Sequence, residues 1–181
     1  MWLTVAKISG CIMVLGGSII LGLKMSVKMS KRICELRELE RILGMLEGEL
    51  RFRKNPMAQC FNNISGRCMD AFGRWLSYMS KLLSGGCDSF MEVWREGMEM
   101  LKVMRYDARI SLTVEDIEEL EYIGQALLEN HTDSQLNALL LEKTALKNKI
   151  TGLANELQDR KKVTISLCSL GGIMLVILLG L

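Results

Sequence analysis

One histidine and six cysteines are the side chains of this 181-residue chain best suited to hold a metal or attack a substrate. Their spacing argues against both. Cys34, Cys60, Cys68 and Cys87 form no C-x-x-C pair, and His131 has no cysteine or histidine close by in sequence to complete a ligand set. Cys11 and Cys168 fall inside long apolar runs. The densest acidic cluster is Glu115, Asp116, Glu118 and Glu119, just after Thr113. Carboxylates in the first turns of a helix complement the positive end of its dipole, and this structural reading outweighs acid–base work. Gly85-Gly86 lacks the preceding strand that a phosphate-cradling loop requires, and the chain holds no P-loop, dinucleotide turn or H-E-x-x-H run. The expectation is therefore a non-enzyme with no catalytic, metal or cofactor-binding residues and with reduced thiols.

The elements that carry these residues read as helices. One proline and sixteen glycines, with no clean alternation of apolar and polar residues, predict an all-α fold. Leu36, Leu39, Leu43, Leu46 and Leu50 recur at steps of three and four and make one apolar seam on a helix ending near Phe52. Glu38, Glu40, Arg41, Glu47, Glu49 and Arg51 are expected on its other faces. A mirroring helix opens at Thr132 or Asp133 and carries Leu136, Leu139, Leu146, Ile150, Leu153 and Leu157. Four shorter helices are expected between them. Asn55-Pro56 reads as an N-cap followed by proline at the first helical position. Asp70–Leu83 ends at Ser84-Gly85-Gly86, Ser89–Met104 follows, and Thr113-Val114-Glu115-Asp116 opens the last of the four with a capping box. Trp75 and Trp94 are expected as core anchors.

Both ends of the chain are apolar. Trp2–Leu23 carries the single charge Lys7, and Val163–Leu181 carries no charged side chain. Each approaches the ~20 apolar residues that cross a bilayer as a helix. Residues 1–23 and 163–181 are thus expected as transmembrane anchors, and residues 24–162 as a six-helix bundle. An uncleaved anchor is preferred to a signal peptide, because no Ala-x-Ala-like site precedes Lys24-Met25-Ser26. Lys24, Lys28, Lys31 and Arg32 flank the first span, and Arg160, Lys161 and Lys162 flank the second. The positive-inside bias then predicts a cytosolic bundle on the cell membrane.

That basic collar is also expected to seat the bundle on anionic lipid. A net charge of +2 gives no argument for nucleic acid. At the end far from the membrane, Arg51-Phe52-Arg53-Lys54-Asn55 is expected to meet Glu129-Asn130-His131-Thr132-Asp133. Glu47, Glu49, Arg51, Arg53 and Lys54 are the candidate residues for docking a partner there. A membrane-tethered signalling or regulatory module is the alternative, but it calls for a sensory domain outside the membrane, where almost nothing is expected.

The chain resembles the stage III sporulation protein AB family over nearly its whole length. The resemblance rests on Arg32, Leu36, Arg37, Leu39, Leu43, Leu46-Glu47-Gly48-Glu49-Leu50, Phe52 and Pro56-Met57, then on Trp94, Asp116, Leu120, Gly124, Leu127 and Gln135, and on Gly171-Gly172 in the apolar tail. Asn55 and Phe52 stand where the family has threonine and tyrosine; Leu128 and His131 stand where glycine and aspartate are common. The resemblance implies a subunit of the channel, or feeding-tube apparatus, between mother cell and forespore, in the mother-cell membrane. It implies a six-helix bundle similar to the inner-membrane platform domains of type II secretion. The implied partners are the apparatus's secretion-type ATPase, stage III sporulation protein AA, and its other membrane subunits.

Overall fold

The computed structural model describes residues 2–53, 55–86, 89–127 and 132–180, and within them the side chains of residues 24–52, 55–86, 89–125, 127, 134–163 and 166. The described residues form six α-helices and no strand: α1 Trp2–Gly48, α2 Met57–Ser65, α3 Asp70–Ser84, α4 Phe90–Tyr106, α5 Val114–Ala126 and α6 Thr132–Gly180. The chain divides into two compact units, Met1–Ser30 with Gly152–Leu181 and, separately, Lys31–Thr151. The first unit consists of the N-terminal part of α1 and the C-terminal part of α6. Among the described residues no helix is long and apolar enough to cross a membrane. The side chains of residues 1–23 and 167–181, on which the expected spans rest, lie outside those described.

The second unit is a packed bundle. Leu36, Leu39, Leu43, Leu46 and Leu50 are all buried, as their spacing predicts. The helix does not simply end at Phe52: Glu49–Arg53 form a π-helical turn after Gly48. A π turn carries one extra residue and shifts the register; Glu49 and Leu50 at its start are both buried. On α6, Leu139 and Ile150 are buried while Leu136, Leu146, Leu153 and Leu157 are half-buried, so the mirror seam is shallower than the first.

The short helices α2, α3, α4 and α5 pack in sequence, each on the next. The cap of α2 differs from the expected one. Pro56 occupies the N-cap position, and its carbonyl accepts from Gln59 N and Cys60 N at 2.9 and 3.1 Å. Asn55 turns its amide instead to the carboxylate of Glu49, because that buried acid needs donors. Gly85 closes α3, and Gly86 takes φ +90°, a conformation that glycine adopts without steric penalty. Between them the helices enclose an aromatic core. Trp75 meets Trp94 edge-on at 5.9 Å and Phe90 stacks on Trp94 at 5.8 Å, arrangements that suit the ring quadrupoles.

Candidate functional site

The acidic cluster at the start of α5 is not uniformly solvated. Thr113 caps the helix by accepting from Asp116 N at 3.3 Å, and Asp116 returns the bond by accepting from Thr113 N at 2.9 Å. This is the predicted capping box. Asp116 itself is 2% exposed, and two cations reach it. Arg32 of α1 donates through Nε and Nη2 at 2.7 and 2.8 Å, and Lys149 of α6 lies 2.7 Å from Oδ1. Burial alone would raise the carboxyl pKa, but hydrogen bonds from Arg32, Lys149 and the Thr113 N–H more than offset it and hold it at about 2. A carboxylate so firmly ionised cannot shuttle protons near neutrality. Its geometry makes it a staple across α1, α5 and α6.

Arg32 is thereby removed from the expected basic collar, since its guanidinium is committed to Asp116. Lys24, Lys28, Lys31 and Lys161 remain exposed. Arg160 pairs with Glu156 at 2.7 Å, and Lys162 pairs with Asp159 at 3.3 Å, each within one turn of α6.

Three further carboxylates are buried, Glu35 and Glu38 on α1 and Glu49 in the π turn after it, and periodicity alone does not find them. Glu35 accepts from Ser111 N at 2.7 Å; burial raises its pKa, with the backbone bonds from Ser111 and Leu112 opposing. Glu38 accepts from Met69 N at 2.8 Å and from Arg41 Nε at 2.8 Å; the Arg41 hydrogen bond leads in lowering its pKa. Glu49 accepts from the side-chain amides of Asn55 and Asn63 at 3.0 and 3.1 Å. Glu35 and Glu38 satisfy backbone donors far along the chain, and Glu49 satisfies amides before and within α2. Glu38 and Glu49 therefore belong to the interior, not to the polar faces on which the heptad-like spacing places them.

The candidate docking residues separate accordingly. Glu47 lies 3.4 Å from both Arg51 and Lys143, tying the end of α1 to α6. Glu49 is 8% exposed and engaged within the bundle. Arg51 is exposed, and Phe52 beside it is 82% exposed. The Arg53 side chain, Lys54, and residues 128–131 of the facing loop, His131 among them, lie outside the described residues, as does Cys87. Cys34, Cys60 and Cys68 are free thiols; burial raises Cys60 to about 11, which makes it a poor nucleophile. Among the described residues no three His, Cys, Asp or Glu side chains gather as a metal site.

Several of the residues that carried the resemblance pair with one another or with a neighbouring residue. Arg32 binds Asp116, Glu49 holds Asn55, and Gln135 Nε2 donates to Leu127 O at 2.8 Å. Trp94 Nε1 donates to Leu120 O at 3.2 Å, and its indole lies over Gly124 so closely that a Cβ there would stand 2.2 Å from the ring. These are fastenings of a fold.

Residues 7–180 match the family model described as stage III sporulation protein AB. A solved structure titled "Stage III sporulation protein AB (SpoIIIAB)" is similar with a TM-score of 0.60 and 23% identity, over 71% of this chain and 97% of that one. No curated protein matches. The chain belongs to the stage III sporulation protein AB family, and is a sporulation-related assembly subunit rather than an enzyme.

Proposed function

We propose that this subunit is rooted in the mother-cell membrane by its two apolar ends and couples a cytosolic partner to the sporulation channel through its helical bundle. The observation that carries this reading is the continuity of the two long helices. α1 and α6 run 47 and 49 residues, each from the bundle through an apolar end segment without a break.

The partners implied by the family are the secretion-type ATPase, stage III sporulation protein AA, and other membrane subunits of the apparatus. The far end of the bundle is the surface we assign to them, with Glu47, Arg51, Arg53 and Lys54 as polar contacts and Glu49 as the internal brace. An exposed aromatic among arginines, as Phe52 is, has the composition of an interface hot spot. Lys24, Lys28, Lys31 and Lys161 would meet anionic lipid, at about 1 kcal/mol for each well-placed charge.

Charge reversal at Glu47, Arg51, Arg53 and Lys54 together tests the docking role. The expected outcome is loss of ATPase co-purification and of sporulation, with the helical content of the protein unchanged. Intact co-purification and sporulation would remove the far end from the account.

A further inference from the structure

A groove of about 440 Å³ lies within the Lys31–Thr151 unit, between α1, α5 and α6. Its lining is mostly apolar, including Leu36, Leu39, Leu120, Ile123 and Leu146. Three carboxylates and one cation also line it: Asp116, Glu119, Glu142 and Lys149, with Asp116 already paired to Arg32 and Lys149. Glu119 is neutralised by Lys149 at 2.7 Å. Glu142 is half-buried and forms no hydrogen bond or ion pair among the described residues. Burial, then the nearby Glu119 charge, raise its pKa. An incompletely solvated acid without a counter-ion is an unfavourable feature that an incoming cation would relieve. Glu115, one turn before Glu119 on α5, is also exposed.

The complementary surface is present on the same chain. Counted at 100° per residue, Arg37 and Arg41 lie about 130° and 170° round α1 from the mean direction of Leu36 and Leu39. They therefore face away from the groove at the same height along the helix. Both are exposed, as is Arg67, whose carbonyl receives Arg41 Nη2 at 2.6 Å. Arg41 is paired with Glu38, but Arg37 forms no hydrogen bond or ion pair among the described residues. One face thus holds a cation without a partner, and another holds an anion without one.

We propose that copies of this chain pack side by side, with the Arg37–Arg41–Arg67 face of one copy set against the groove walled by Glu119 and Glu142 of the next. Different patches meet in this contact, so it repeats from copy to copy and closes into a ring when the rotation permits. Copies rooted in one bilayer share orientation and height, which is what faces at one level on α1 require. In that respect alone the inference rests on the anchoring proposed above. It uses a different surface from the far-end docking site.

The test is co-isolation of two differently tagged full-length copies from sporulating-cell membranes. Arg37 and Glu142 lack internal partners, so Arg37→Glu and Glu142→Lys should leave the fold intact. Each alone is expected to abolish self-co-isolation, and the two together in every copy to restore it. A cysteine pair supplies the second reading: an Arg37→Cys copy and a Glu142→Cys copy, both otherwise free of cysteine, should form a disulfide only with each other. Absence of self-co-isolation in the unaltered protein, indifference to both single reversals, or failure of the double reversal to rescue overturns the proposal. ATPase co-purification by the same membranes reports separately on the far-end reading.

Discussion

Asp116 gathers charge from three helices, and its replacement should expose how much one buried carboxylate contributes. Asp116→Asn keeps the size of the side chain but leaves Arg32 and Lys149 facing an uncharged group. Removing one member of a buried ionic cluster typically costs about 3 kcal/mol or more, so a fall of that order in unfolding free energy is expected in denaturant titration. The pH dependence has a definite sign. The folded pKa of about 2 lies below the ordinary value of 3.8, so the stabilisation is complete above about pH 4. It is lost as pH falls from there toward 2. The shift corresponds to about 2 kcal/mol. The Asn variant should lack this acid-labile component, and an unchanged stability profile between pH 2 and 5 would contradict the geometry.

Between elements, packing turns on two glycines that differ in what faces them. A Cβ at Gly124 of α5 would meet the Trp94 indole at 2.2 to 2.6 Å, and that ring is fixed by stacking and by its bond to Leu120 O. A Cβ at Gly97 of α4 would meet the sulfur of the flexible Met79 side chain at 2.6 Å, with Met79 Cγ and Trp75 Nε1 at 3.0 Å. Gly124→Ala is therefore expected to cost about 2–3 kcal/mol and Gly97→Ala distinctly less, as melting experiments on the two variants would read. Much of this scale was legible in the chain itself. The leucine seam of α1 and the capping box of α5 are local patterns, and both stand where the spacing puts them. The buried acids were not legible, because their donors are remote: Glu38 needs Met69 N and Glu35 needs Ser111 N. Arg32 looked like one more basic residue of a membrane flank, since its partner lies 84 positions away. No periodicity encodes such pairings. The cap of α2 departs from its local pattern for a related reason, the demand of Glu49 for the Asn55 amide.

At the scale of the whole molecule, a bundle without a reactive constellation among its described residues is continuous with two long helices that end in apolar sequence. The family supplies the setting of sporulation; the anchoring and its direction are what we propose. The direction decides whether the bundle can meet a cytosolic ATPase at all. Cys34 offers the means to measure it, being an exposed thiol on the Lys31–Thr151 unit, near the start of the bundle. With the other five cysteines replaced by serine, Cys34 should resist a membrane-impermeant maleimide in intact cells before engulfment, and react once the cells are permeabilised. Labelling of intact cells would put the bundle on the opposite side of the membrane and contradict the proposed coupling.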